Sequence, residues 1–353
     1  MRRRRKPKSP SPSERTMTRA RWGGAGALAA LGICAAGACG PMNTLGRDGV
    51  TGSSETSLGW FLVITSCAVV LIITVLVCIA AFKHHQAAPG NAVVAGTPGF
   101  EWILWGGMLI PAVVLVVAFF LTIGTLNAVA APERAPAATI AVVGHQWWWE
   151  VRYEGSSPDQ SIVTANEIHV PVGEPVRLEL STNDVIHSFW VPELAGKTDL
   201  IPGQTNSMWI EARHAGVFGG TCGEFCGAQH AHMQIRVIAD PPDRYQAWLA
   251  AQREPAAGAT DPTTADGLRV FMTSGCANCH SIRGTRAGGG VGPDLTHIAS
   301  RTTIAAGTLP NTKGNLMAWI VDAQAIKPGS DMPTMAVPSR DLLALAAYLE
   351  TLK

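Results

Sequence analysis

The sequence predicts three structural units of different class: a hairpin of two membrane-spanning helices, an all-β domain and a small all-α domain. Two uncharged runs, residues 58–82 and 102–126, are each long enough to cross a bilayer. Short alternating segments, separated by Gly, Pro and Asn-Asp, follow over about 100 residues and are typical of a sandwich or barrel. Helical patterns at 267–273 and 341–352 then indicate a separate C-terminal unit.

Composition and the first 39 residues predict export. The 353 residues carry a net charge of +1, so charge does not indicate a nucleic-acid partner. Residues 1–39 join a basic segment to a run of small residues, which is the order of an export signal. Ala36-Gly-Ala-Cys39 resembles a lipobox and would make a lipidated Cys39 the mature N-terminus; an uncleaved anchor with an incidental cysteine is the alternative.

The distribution of positive charge predicts the orientation of the hairpin. Lys83 follows the first span, and the next Lys or Arg is Arg134, beyond the second span. The positive-inside rule therefore places the short loop in the cytoplasm and both flanks outside. The export signal predicts the same orientation, so the soluble domains are expected on the periplasmic side of a bacterial inner membrane. Pro111 is expected to kink the second span.

The soluble part divides into two domains and a linker. We predict the β domain over residues 131–253, with a closing helix at 241–253, and the helical domain over 266–353. Residues 254–265, rich in Ala, Pro and Thr, form the predicted linker. Alternating or β-branched runs predict strands at 140–143, 168–170, 176–180, 207–210 and 234–238.

A cluster of soft donors occupies residues 222–233, with the sequence CGEFCGAQHAHM. Its thiolates, imidazoles and thioether suit copper. We expect Cys222 and Cys226 on a loop that folds back between two strands, with His187 arriving from a neighbouring strand. Two bridging thiolates with one His per metal fit a dinuclear copper centre. A structural zinc site is the alternative, but it leaves Met233 without a role. His232 is predicted on the opposite face of its strand.

Cys276-Ala-Asn-Cys279-His280 is a motif for covalent attachment of c-type haem. The two thiols would bond the haem vinyl groups, and His280 would bind the iron. Met332, which precedes Pro333, is the preferred sixth ligand, with Met335 as the alternative. A redox dithiol would leave His280 and the downstream methionine unexplained.

Residues 58–240 resemble subunit II of the haem-copper cytochrome c oxidases. The resemblance is most specific in CGEFCGAQHAHM, and it extends to NDVIHSFWVPELAGKTDLIPG at 183–203 and GHQWWWEVRY at 144–153. With the C-terminal haem motif, the whole chain is similar to the caa-type, in which a cytochrome c domain follows the copper domain. The resemblance implies a cupredoxin-like fold for 131–253 and a class I cytochrome c fold for 266–353.

The resemblance also implies roles for individual residues. Trp147 would receive electrons from the donor cytochrome; the alternative is a packed aromatic cluster at the sheet edge. Glu101 would be a proton-uptake group or, alternatively, a snorkelling boundary residue. The Glu224 carboxylate would reach a magnesium ion shared with subunit I. Two copper ions (CuA) would be held by His187, Cys222, the Glu224 carbonyl, Cys226, His230 and Met233.

The function that the resemblance implies is electron relay in a terminal respiratory oxidase. Electrons from the fused haem or from a mobile cytochrome c would reach CuA and then haem a of subunit I. Oxygen would be reduced to water at haem a3–CuB, coupled to proton pumping, in a complex with subunits I and III and membrane lipid. A membrane-anchored copper and haem c carrier serving another reductase is the alternative. The copper ligands argue against a quinol oxidase subunit.

Overall fold

Two long helices precede the soluble part of the chain. The structure, a computed structural model, describes residues 42–84, 98–155, 157 and 160–353, so the predicted export signal and Cys39 lie outside the described residues. Helix α1 spans Val50–His84, and the second rod comprises α2 (Pro98–Trp102), a π-helical segment (Ile103–Leu109) and α3 (Ile110–Ala130). Both rods are long and apolar enough to cross a membrane.

The expected irregularity at Pro111 takes the form of the π-helical segment. Proline lacks an N–H group, and its ring clashes with the carbonyl four residues earlier. The backbone N–H of Ile110 bonds the Trp105 carbonyl, five residues back, so the turn is widened just before Pro111. Pro111 then lies in the first turn of α3, where a missing donor is least costly.

The start of α1 and the end of α3 both contact the β domain. The N–H of Gly49 donates to the Glu193 carbonyl at 2.9 Å, and that of Val50 to the Glu211 carbonyl at 3.1 Å. At the end of α3, the Val129 carbonyl accepts from the Trp209 indole at 2.9 Å. The two rods therefore run antiparallel, with their other ends facing away from the β domain.

The β domain is a sandwich of two five-stranded sheets. One sheet has the order β3-β2-β1-β5-β8 and the other β4-β10-β9-β6-β7, with parallel pairing only in β1–β5 and β4–β10. The five predicted strands are found as β1, β4, β5, β8 and β10. The ten strands are β1 (Ala138–His145), β2 (Trp148–Tyr153), β3 (Ile162–Ala165), β4 (Glu167–Pro171), β5 (Val176–Thr182), β6 (His187–Trp190), β7 (Thr198–Leu200), β8 (Asn206–Ile210), β9 (Gly216–Cys222) and β10 (Gln234–Asp240).

The core lies between the sheets and follows from alternation along the strands. In β5, Val176, Leu178 and Leu180 are fully buried, whereas Arg177 between them is exposed. Helix α4 (Pro242–Arg253) closes the domain, because its Tyr245 side chain is buried in the same core.

The third unit begins at helix α5 (Pro262–Thr273). Residues 262–265, assigned above to the linker, form its first turn. The Asp261 carboxylate caps this turn by accepting from the N–H groups of Thr263 and Thr264, and Pro262 stands where its missing N–H is harmless. The local cap outweighs the linker-like composition.

This unit is mainly helical, with one two-residue ladder. Helix α5 packs closely against the last helix, α9 (Ser339–Leu349), because Gly267 of α5 has no side chain. A Cβ at Gly267 would lie 2.1 Å from the carbonyl oxygen of Ala344 in α9. The remaining elements are α6 (Cys276–Cys279), a 3-10 turn (Ile298–Ser300), β11 (Thr303–Ile304), β12 (Leu309–Pro310), α7 (Lys313–Val321), α8 (Ala323–Ile326) and α9 (Ser339–Leu349).

Candidate metal and haem sites

The copper-ligand candidates lie at one end of the sandwich, on the loop between β9 and β10. Cys222 is the last residue of β9, and a 3-10 turn (His230–His232) leads into β10. Strand β6 begins at His187 and pairs with β9, with Phe189 opposite Cys222. This register brings His187 to the cysteines, as the sequence predicted.

The first half of the cluster surrounds Cys222. Its Sγ lies 3.8 Å from His187 Nδ1 and 3.1 Å from the Glu224 carbonyl oxygen. The donor atoms of His187, Cys222 and Cys226 all lie within 4.8 Å of one another, and all three residues are buried.

The second half surrounds Cys226. Its Sγ lies 3.6 Å from His230 Nδ1 and 3.8 Å from the Met233 sulfur. Met233 is fully buried, whereas His230 is half-buried beside the exposed Phe225 ring. All six predicted copper-ligating groups are therefore gathered in one place.

A carboxylate orients His187. Asp184 Oδ1 lies 2.8 Å from His187 Nε2, so Nδ1 is the nitrogen turned toward the sulfur atoms. Asp184 also accepts from the N–H groups of Gln146 at 2.7 Å and Val185 at 2.6 Å. Burial raises the pKa of Asp184, but these hydrogen bonds outweigh it and hold that pKa below its usual value.

The pKa values of the two cysteine thiols are shifted in opposite directions. A hydrogen bond from Cys226, with further support from His187, lowers the pKa of Cys222 to about 3. The same hydrogen bond, together with burial, raises the pKa of Cys226. A thiolate is the form that binds metals, and the lowered pKa of Cys222 favours that form.

The prediction for His232 was wrong in its secondary structure. His232 lies in the 3-10 turn rather than on a strand, and it is exposed. Its Nδ1 pairs with the Gln229 side chain at 2.7 Å. It remains outside the donor cluster.

The haem motif lines an apolar cavity in the third unit. Cys276, Cys279 and His280 line it together with buried side chains of α5, α7 and α9, among them Phe271 and Leu345. His280 Nδ1 lies 2.7 Å from the Pro293 carbonyl, which leaves Nε2 as the nitrogen free to bind iron. Burial lowers the pKa of His280, which favours the neutral imidazole that a metal needs.

Both candidate methionines line the same cavity. Met332 and Met335 lie on the loop that precedes α9, and both are half-buried. Gln324 fixes the first of them by donating to its carbonyl at 2.7 Å. Arg301 also lines the cavity; it is buried, and among the described residues its Nε has no partner. That orphaned donor fits a carboxylate of a bound haem.

Trp147 contacts both sites. Its indole Nε1 donates to the Cys226 carbonyl at 3.0 Å, beside the Gln146 side chain, which donates to the same oxygen at 2.7 Å. The Trp147 ring also lines the haem cavity. The neighbouring tryptophans differ: Trp148 stacks on His145 with centroids 4.4 Å apart, and Trp149 is fully buried in the core.

The Glu224 carboxylate and Glu101 lie outside the copper and haem donor sets. The Glu224 carboxylate is half-exposed and lies 3.5 Å from Lys197 Nζ. Glu101 lies in α2, where it accepts from the Trp105 indole at 3.1 Å. With 29 residues between Glu101 and the end of α3, the structure keeps it about 40 Å from the soluble domains.

Three residues that form the interface between the domains were not singled out from the sequence: Glu167, Gln229 and Lys327. Glu167 of β4 is buried and accepts from the N–H groups of Thr302 at 2.8 Å and Thr303 at 3.3 Å. Gln229 and Lys327 also bond across this interface. Glu167 and Lys327 lie outside any motif, so nothing in the sequence separates them from solvated surface residues. Gln229 lies within residues 222–233 but has no soft donor atom.

Comparison with known proteins places the chain in a family. The model "Cytochrome C oxidase subunit II, periplasmic domain" matches residues 156–239, and the model "Cytochrome c" matches residues 264–353. Cytochrome c oxidase subunit 2 of Alkalihalophilus pseudofirmus is 37% identical over 296 residues, covering 81% of this chain and 84% of that protein. The chain belongs to the cytochrome c oxidase subunit 2 family.

Other relatives carry the same name. Cytochrome c oxidase subunit 2 of Bacillus sp. PS3 is 33% identical over 226 residues, covering 61% of this chain and 62% of that protein. The crystal structure of the periplasmic domain of subunit II of cytochrome oxidase from Bradyrhizobium japonicum is 28% identical, covers 35% of this chain and 97% of that one, and superposes with a TM-score of 0.32.

Membership in the cytochrome c oxidase subunit 2 family confirms several predictions. The chain is a subunit of an oxidoreductase complex, with a β cupredoxin-like domain and a helical cytochrome c domain behind two apolar helices. The family implies copper, the cytochrome c domain indicates haem c, and both fit the donor sets described above. Membership also implies association with other oxidase subunits and a membrane anchor.

Proposed function

We propose that this chain is the electron relay of a proton-pumping terminal oxidase, receiving electrons in its haem domain and delivering them through a dinuclear copper centre to subunit I. Haem a of subunit I, and then haem a3–CuB, would complete the reduction of oxygen to water. The observation that carries the proposal is Trp147, whose indole contacts the Cys226 carbonyl while its ring lines the haem cavity.

Six groups would hold the two copper ions of CuA. These groups are Cys222, Cys226, His187, His230, Met233 and the Glu224 carbonyl. Five soft or borderline donors, with a carbonyl oxygen as the sixth group, exceed the four ligands that a structural zinc site uses, which supports copper. Asp184 would keep the His187 ring oriented, and His187, Ser188 and Phe189 of β6 are buried.

Four side chains would hold the haem. Cys276 and Cys279 would form the thioether bonds, and His280, oriented by the Pro293 carbonyl, would bind the iron from one side. Met332 is the proposed sixth ligand. When bound, the copper centre and the haem would supply one-electron exchange.

Trp147 would be the residue through which electrons pass between the domains. Its position is fixed by the hydrogen bond to the Cys226 carbonyl, so its ring is coupled to a copper-ligating residue through one contact. The haem domain covers it, so electrons from a mobile cytochrome c would arrive through that domain.

The proposed topology places the soluble domains on the periplasmic side, with both helices crossing the membrane. Support comes from the ends of α1 and α3 that contact the β domain together, as a two-span hairpin requires. The Glu224 carboxylate, which lies 3.5 Å from Lys197 Nζ, would bind a magnesium ion shared with subunit I. In this proposal the chain also associates with subunit III, and Glu101 is a proton-uptake group.

Flash reduction of the haem in the full-length protein, in detergent, tests the relay. We expect the haem to be reoxidised as the near-infrared copper absorbance bleaches. Trp147→Leu should slow this transfer and leave both spectra unchanged. Trp148→Leu is the matched control, because Trp148 lines the same cavity but stacks on His145 instead of bonding Cys226.

Two outcomes would count against the proposal. Haem that stays reduced beside oxidised copper in the wild-type protein would overturn the relay itself. Equal rates in the wild type and Trp147→Leu would remove only the role of Trp147.

A further inference from the structure

Lys327 belongs to the haem domain, but its ammonium lies against the copper domain. The residue is only 3% exposed. Its Nζ donates to the carbonyl oxygens of Trp147 at 2.8 Å, His232 at 3.0 Å and Ala305 at 3.4 Å. A lysine ammonium has three donors, so all of them are used. A buried cation is tolerated only when it is satisfied in this way, and losing the acceptors would be costly.

Two of the three acceptors lie on segments that carry the copper site. Trp147 bonds the Cys226 carbonyl through its indole, and His232 directly precedes Met233. The third acceptor, Ala305, lies between β11 and β12 of the haem domain. The adjacent Ala306 carbonyl accepts from the N–H of Gln234 at 3.0 Å, which adds a backbone contact across the same interface.

The residues after Lys327 extend the contact. Gln229 of the copper loop donates to the Pro328 carbonyl at 2.8 Å, while its own oxygen pairs with His232. A Cβ added at Gly329 would lie 3.8 Å from the Trp147 ring, so this backbone rests on the indole. Residues 327–329, the docking segment, therefore lie on the copper loop and on Trp147.

The docking segment continues directly into the loop that carries Met332, which lines the haem cavity. One short stretch of chain thus connects the proposed haem ligand to the copper loop. A shift of the docking segment would move the methionine loop and the face of the cavity that Trp147 closes.

We propose that Lys327 is a positioning residue that docks the haem domain on the copper domain, by fastening the docking segment to the backbone of Trp147 and His232. The importance of this geometry for electron relay rests on the proposed function. The docking itself is a property of the folded chain and can be measured without any electron transfer.

Hydrogen exchange in the full-length holoprotein tests the docking. The amides of Gln234 and Thr302 bond across the interface, to the Ala306 carbonyl and to the Glu167 carboxylate, so their exchange reports undocking. In Lys327→Met we expect exchange of peptides containing these amides to be about tenfold faster or more, because three hydrogen bonds from the charged ammonium are lost. The amide of Val237, within the β9–β10 ladder, should keep its rate.

Lys313→Met is the matched control. Lys313 is an exposed lysine of the haem domain that pairs with Glu350 at 3.1 Å, and its removal should leave Gln234 and Thr302 protected. The covalent haem and copper contents of Lys327→Met should match the wild type, because Lys327 contacts none of the proposed ligand side chains.

Wild-type exchange rates at Gln234 and Thr302 in Lys327→Met would overturn the proposal. If that variant does not fold, Lys327→Gln, which keeps a shorter neutral donor, is measured at the same amides: faster exchange supports the proposal, and unchanged exchange overturns it. Absence of copper from the wild-type protein would contradict the proposed relay. The comparison of exchange rates between the wild type and Lys327→Met would still test the docking.

Discussion

The copper site and the haem site use the same kinds of donor, thiols, imidazoles and a thioether, but they are built in different ways. At the copper site the donors contact each other: Cys226 Sγ lies 3.6 Å from His230 and 3.8 Å from Met233. At the haem site the donors line a cavity, with His280 on one segment and Met332 on another. The copper donors form a compact cluster, whereas the haem site is a cavity lined mainly by the haem domain and on one side by Trp147 and Trp148 of the copper domain.

This difference has consequences for folding. The copper domain has its own core between two sheets, formed by side chains such as Leu178 and Trp149 that do not line the haem cavity. In the haem domain, core residues such as Phe271 and Leu345 are themselves cavity lining. The copper domain should therefore fold without its metal, whereas the haem domain should depend on its prosthetic group.

Removing haem attachment should have the largest effect. In Cys276→Ala/Cys279→Ala we expect no covalent haem and loss of the cooperative unfolding transition of the haem domain, because its apolar cavity would be left unfilled. Copper content should stay at the wild-type value. Haem staining, thermal melts by circular dichroism and metal analysis provide the measurements.

Cys67→Ala/Cys78→Ala is the control for that double replacement. Both cysteines are exposed on α1, away from either site, and their loss should change nothing. Cooperative melting of the haem domain without haem would contradict the expectation that this domain depends on its prosthetic group.

Crowding the proximal histidine should have an intermediate effect. A Cβ at position 292 would lie 2.6 Å from the His280 ring, so Gly292→Ala should lower the free energy of unfolding by about 1–3 kcal/mol and disturb the haem spectrum. Gly290→Ala is its matched control, since a Cβ at Gly290 meets nothing within 4 Å. Denaturant titration followed in the haem absorption band measures both variants, and equal stabilities would show that the loop yields at no cost.

The smallest expected change separates the two methionines. Met332→Leu should cost under about 1.5 kcal/mol of stability, because the two side chains have similar volumes, but it should abolish the absorption band of methionine-ligated iron. Met335→Leu should keep that band. Loss of the band in Met335→Leu and its retention in Met332→Leu would assign the sixth ligand to Met335. The visible spectrum of each oxidised variant decides between the two methionines.

Sequence was most informative where the donors are close together. The spacing in Cys222–Met233 and in Cys276–His280 limits the chemistry to a few possibilities, and alternation in β5 fixes which side chains face the core. Strand β9 was harder to predict, because it holds three glycines and little β-branched character.

Contacts between distant segments could not be predicted from sequence. Lys327 meets Trp147 across 180 positions, and Glu167 meets Thr302 across 135, so no local pattern marks either pair. The start of α5 did carry a signal: Asp261-Pro-Thr-Thr264 is a capping sequence, but it stands within Pro- and Ala-rich residues that are typical of a linker. The choice between Met332 and Met335 depends on how the loop folds around the haem.

Metal and haem analysis of the purified full-length protein tests whether the chain holds both redox centres. We expect two copper ions and one covalent haem per chain, with a near-infrared band and an electron paramagnetic resonance signal of a mixed-valence copper pair. One zinc ion per chain, with no copper signal, would contradict this expectation.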